Sequence, residues 1–225
     1  MHMNDGNIIE ANLSQSIKRR ILISLIAGVL GFGINGLAVP VLGQDGGVTL
    51  IFGGTFYLLI AIVYGPVYGL IASLLASSRT IPLWGHPYAL ITFGLEAVVV
   101  GWLVQRRKQP LIADLFYWSV VGIPLLILIF VFLLSQEAAW AIVIKQPLNG
   151  LLDVMLAELL LRPSWMRRLF ASAGQPIGRR PLRAHLFHSF VLLTTIPLVI
   201  LSVVQGHTYV ERQRTEATYR LQEAT

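Results

Sequence analysis

The chain has 225 residues, of which 55% are hydrophobic and only 12% charged, and its mean hydropathy is +0.70. These values exclude a soluble domain with an ordinary surface and point to a polytopic membrane protein. The formal net charge of +6 falls in short Lys/Arg clusters between apolar runs, a pattern of topology signals and anionic-lipid contacts rather than a nucleic-acid face, and the lack of cysteine excludes disulfides, thiolate metal sites and Cys nucleophiles.

Residues 1–20 read as a cytoplasmic tail that opens on Met1-His2-Met3, in part an expression remnant, and ends on Lys18-Arg19-Arg20. A first crossing is expected from Ile21 to Gly43, since about 20 apolar residues span a bilayer. Gln44-Asp45-Gly46-Gly47 is a turn, and Val48 to Gly65 is expected to return as a second helix. Gly65-Pro66 then joins a helix C-cap to an N1 proline, so a short third helix, Val67 to Ser78, follows at once. A single kinked helix over 48–78 is the competing reading. It would place Arg106-Arg107-Lys108 outside and break the positive-inside bias, so the hairpin is preferred.

A fourth run extends from Tyr88 to Gln105, a fifth from Ile112 to Leu134, and a sixth from Glu137 to Leu161. The sixth carries Lys145, Pro147, Asn149, Asp153 and Glu158 inside a crossing. A charge near the hydrocarbon centre costs about 2.5–3.5 kcal/mol on insertion scales, so it normally faces a partner, a cavity or water. Pro147 also frees a backbone carbonyl one turn back, which needs a polar neighbour. Residues 162–186, rich in Pro, Gly, Ser and Arg, form a basic cytoplasmic linker. A seventh crossing at 187–206 goes outward, and 207–225 reads as the start of an extracytoplasmic helix that stops in mid-course.

Two stretches carry a resemblance: FGGTFYLLIAIVYGPVYGLIASLLASS, with its GP-x-x-G turn, and PLNGLLDVMLAELL. They resemble the substrate-binding S components of energy-coupling-factor vitamin transporters, over about residues 21–161. The segment LRAHLFHSFVLLTTIPLVILSVVQGHTYVERQRTEATYRLQEA is similar to the helix leading into an extracytoplasmic Cache-type domain of bacterial histidine kinases and diguanylate cyclases. The resemblance implies an all-α polytopic protein of the bacterial inner membrane: a six-helix S-component-like bundle plus a seventh transmembrane helix, N-terminus cytoplasmic and C-terminal tail outside. It also implies a sensory input module for a small, vitamin-like molecule, dimerising through signalling domains beyond this sequence. A transporter component and a structural or oligomerising anchor are the alternatives.

Descending from the outer face, Glu96 and Lys145 reach similar depth, about 12 Å at 1.5 Å per residue, and are expected to meet. Whether they hold a ligand or only each other stays open. Asn149, one turn below Lys145, is expected in the same pocket. Trp140 above it, with Arg79, Trp84 and His86 of the loop RTIPLWGHP, would roof the pocket, although interfacial tryptophans also form anchoring belts. Trp102, Trp118 and Trp165 are placed toward the inner interface as belt residues. Asp114 suits a helix N-terminus, and Ala27, Gly31, Gly33 and Gly36 allow close helix approach. No nucleophile–base set, H-E-x-x-H or phosphate-cradling loop is present, so no enzyme activity and no cofactor or metal is expected; the expected partners are a small molecule and the lipid bilayer.

Overall fold

The computed structural model describes residues 5–37, 39–42, 48–134 and 139–170; the expected seventh crossing and the segment after it lie outside the described residues. The protein is predominantly helical. In chain order it comprises α1 (Asp5–Asn35), β1 (Val39–Leu42), β2 (Val48–Leu50), α2 (Gly54–Tyr64), α3 (Pro66–Ser77), α4 (Thr80–Trp84), α5 (Tyr88–Gln105), α6 (Pro110–Leu133), α7 (Ala139–Leu160) and α8 (Ser164–Phe170).

Three elements differ from expectation. Helix α1 is already formed at Asp5, where a loose tail was expected, and it stops at Asn35 rather than running to Gly43. Leu13, Gln15, Lys18 and Arg19 favour a helix, and each added residue extends one already nucleated by its packed half. Gly36 starts a turn, and the β-branched Val39, Val41 and Val48 then enter an antiparallel hairpin that pairs Val39 with Leu50. Pro40 sits in β1, the kind of short edge strand that tolerates a missing N–H. The second apolar run is therefore strand and helix in series, and α2 has only 11 residues. The third difference is α4, a single turn inside the expected loop, closed by Gly85 at φ +73°.

The hairpin reading of Gly65-Pro66 agrees with the structure. Gly65 adopts φ +93° and its N–H donates to the Ala61 carbonyl, while Pro66 opens α3 without needing a donor. Gly69 then lies so close to Ala61 that a β-carbon would stand 2.6 Å from that side chain. On α1, Gly28 meets Leu75 and the Ala72 carbonyl, and Gly31 meets Ala76. The small residues of α1 are thus used by α3 within the chain. Gly33 differs, with open space around it.

Helix α6 is wound wide over Trp118–Gly122 and again over Ile127–Leu133. The Ile123 N–H donates to the Trp118 carbonyl, five residues back, just before Pro124 withholds a donor from the ladder. Pro147 sits within α7, as expected.

One end of the bundle is basic. There the Arg20 guanidinium lies 5.7 Å from the Tyr64 ring, Phe170 packs edge-on against Tyr64, Arg19 donates to the Leu169 carbonyl, and Gly65 abuts Gln105 just before Arg106. The opposite end gathers the α1 and α3 C-termini, α4, and the start of α5. Between the ends large apolar side chains such as Leu22, Val29, Ile91, Leu128 and Ile144 are exposed, while Glu96, Asp114, Asn149 and Asp153 are buried among the apolar residues of the core. Among the described residues, two helices, Tyr88–Gln105 and Pro110–Leu133, are long and apolar enough to cross a membrane.

Candidate functional site

The interior polar groups begin where β2 gives way to α2. Over Ile51–Gly53 the backbone is neither strand nor helix, so its donors and acceptors need other partners. Asn149 supplies two: its Oδ1 accepts from the Ile51 N–H at 3.1 Å, and its Nδ2 donates to the Ile51 carbonyl at 2.6 Å. Asn35 supplies another, accepting from the Gly53 N–H at 2.7 Å while donating to the Ala76 carbonyl at 3.0 Å. The two asparagines thus tie the irregular segment to α7, α1 and α3.

Asp153 lies one turn further along α7. Its Oδ1 accepts from the Thr55 hydroxyl at 2.8 Å and its Oδ2 from Asn149 Nδ2 at 2.9 Å. The carboxyl meets the first turn of α2, where the helix dipole favours negative charge, and Gly54 leaves the space it occupies.

Glu96 is the second focus. Buried positions Ala89, Phe93, Glu96, Ala97 and Val100 recur every three or four residues, which turns this carboxyl inward from α5. Its Oε2 accepts from the Tyr57 hydroxyl, and its Oε1 accepts from Trp118 Nε1 at 2.8 Å. Gly150 of α7 lies against both the Trp118 indole and the Glu96 carboxyl, and a β-carbon there would collide with them. Tyr117 donates to the Thr92 carbonyl at 2.6 Å and so links α6 to α5. Asp114 is fully buried on the same side and interacts with Glu96 and Trp118.

Toward the opposite end the contacts change in kind. Lys145 Nζ stands 5.1 Å from the centre of the Trp84 ring. Trp84 in turn faces His86 at 6.3 Å, and His86 packs 5.4 Å from Tyr88 and edge-on at 5.3 Å from Phe130. Burial among these rings holds the half-buried His86 imidazole below its usual pKa, because the charged form loses hydration. Lys145, Asn149 and Asp153 follow at four-residue spacing, so a single stripe of α7 runs from this aromatic mouth to the hydrogen-bonded floor.

Of the expected site residues, Lys145, Trp84 and His86 come together at the mouth, and Glu96 and Asn149 belong to the floor. Tyr57 and Trp118 hold Glu96. Trp140 is 58% exposed and turned out of the bundle, and the Arg79 guanidinium lies 5.5 Å from the Phe32 ring, near the C-terminus of α1. Neither joins the site. Trp118, expected in an interfacial belt, is instead fully buried and is a partner of Glu96. Trp102 and Trp165 are exposed, and Arg106 stacks 3.8 Å over Trp102, in keeping with a belt. Asp114 is a core residue rather than a helix-end acid. Tyr57 and Thr55 went unmarked in the sequence; Gly150 and Gly54, each leaving room for a neighbouring polar side chain, were the available signal.

No protein-family model matches the chain, and neither a curated protein nor a solved structure is similar to it.

Proposed function

We propose that this chain is a membrane-embedded input module. It binds a small organic molecule at the aromatic mouth formed by Trp84, His86 and Lys145, with Asn149 at its base, and passes the signal through the expected crossing at 187–206. The observation that carries the reading is Lys145 set over Trp84 above an already satisfied polar floor. A cation and a cluster of aromatic rings, with polar groups at one side, are what fixes a small planar or anionic molecule.

Several features support the bilayer setting. The exterior exposes many large apolar side chains while several carboxyl and amide groups lie within the largely apolar core, unlike a water-soluble bundle. Broken structure such as Ile51–Gly53 is tolerated at membrane depth only where protein covers it, and half-helices of this kind accompany binding sites in transporters. The positive-inside bias supports a cytoplasmic basic end, and with it a mouth that faces outward in a bacterial inner membrane. The S-component-like sequence stretches fit the same picture.

A thermal-shift screen of metabolites against the purified chain tests the reading. A binder should raise the unfolding temperature saturably, and Trp84→Ala and Lys145→Ala should lose that rise. A screen without binders, with both variants merely unstable, would contradict it. The irregular Ile51–Gly53 segment before the short α2 also favours a transport component as a second reading, which uptake into proteoliposomes would reveal.

A further inference from the structure

Among the described residues Asp114 is the buried carboxyl with both oxygens outside the hydrogen-bond network. The carboxyl oxygens of its neighbours Glu96 and Asp153 have donors: Tyr57 and Trp118 for Glu96, Thr55 and Asn149 for Asp153. Asp114 is fully buried, and neither of its oxygens closes a hydrogen bond. Yet it interacts directly with Glu96, across the α5–α6 contact. Two carboxylates cannot donate to one another, and two adjacent negative charges in a low-dielectric interior repel strongly. A single proton removes both problems, because it turns Asp114 into a donor for the remaining lone pairs of Glu96.

We propose that Asp114 and Glu96 form a proton-binding site in the core of the bundle, a carboxylic acid hydrogen-bonded to a carboxylate and sharing one proton. The titratable groups facing the pair are known from each packed element. They are Tyr57 from α2, Tyr117 from α6 itself and Asp153 from α7, and Asp153 in turn interacts with Lys145. Tyr57, Tyr117 and Asp153 bring no positive charge to the pair, and a shared proton supplies its counter-charge. Tyr57 and Trp118 fix the carboxylate side, and Gly150 keeps the space open in which Glu96 and the indole meet. Loss of the proton would leave two carboxylates opposed across α5 and α6, so proton release and separation of those helices are linked. This site is independent of what binds at the mouth.

Infrared spectroscopy of the 225-residue chain in phosphatidylcholine–phosphatidylglycerol vesicles tests the proposal. At neutral pH the unmodified chain should show a protonated-carboxyl C=O band that shifts in deuterium oxide. Asp114→Asn, which keeps a donor for Glu96, should remove that band and preserve the helical spectrum, whereas Asp153→Asn should leave it in place. Absence of the band from the unmodified chain at neutral pH would overturn the proposal without recourse to any variant. A band that survives Asp114→Asn, or that Asp153→Asn removes, would overturn it as well.

Discussion

The two halves of the bundle interior are built from similar residues and held in different ways. On the floor, Asn149, Asp153, Glu96, Trp118 and Tyr57 answer one another donor for acceptor. At the mouth, Trp84, His86, Phe130 and Lys145 touch through ring faces and edges. A closed hydrogen-bond network fixes one geometry, since breaking any member strands a buried group. Ring contacts are weak and tolerant of displacement. The floor is therefore suited to specifying the fold and the mouth to accepting a visitor.

Substitutions should separate the halves by stability. Asn149→Ala would strand both backbone groups of Ile51 and one oxygen of Asp153; the expected loss is about 3 kcal/mol, read as thermal unfolding in detergent. A variant that unfolds like the parent would show that water or a side-chain shift replaces the amide. Gly150→Ala drives a methyl group into Trp118 and Glu96 and should cost about 2 kcal/mol, with the tryptophan emission moving as the indole is displaced. At the mouth the effects are smaller: Lys145→Met forfeits a cation–π contact worth about 1 kcal/mol while abolishing the metabolite-induced shift. A large stability loss there, equal to that of the floor variants, would erase the distinction between the halves.

Much of this layout is legible in the chain. Tyr88–Gln105 was expected with the limits it has, and α6 and α7 within two residues, because their apolar runs are long and bounded by Arg, Pro or polar turns. Gly65-Pro66 announced its own geometry. The strand at Val48–Leu50 was hidden, since a short apolar run reads equally as buried strand or helix. Trp118 was hidden for another reason: α6 is apolar on all sides, so periodicity cannot say which side chains turn inward. The Lys145–Asn149 stripe was readable from four-residue spacing. The partner of Glu96 was not, because charge complementarity named Lys145 whereas burial selected neutral donors from α2 and α6.

The smallest expected effect concerns pH. Burial lowers the folded-state pKa of His86, so the unfolded chain binds more protons just below the ordinary histidine value. The contribution of this residue to stability is complete above about pH 6.5 and declines as pH falls from there toward the folded pKa. His86→Phe should flatten that part of the unfolding-temperature profile; an unchanged slope would place its origin elsewhere.

The central claim is a membrane-embedded bundle whose mouth opens outward and whose basic end lies in the cytoplasm. The chain contains no cysteine, so single cysteines can report sidedness against a silent background. Pro87→Cys, beside the mouth, should react with a membrane-impermeant maleimide in intact bacterial spheroplasts, and Lys108→Cys should react only after the membrane is opened. Labelling of both positions from the same side, or in the reverse order, would contradict the claim.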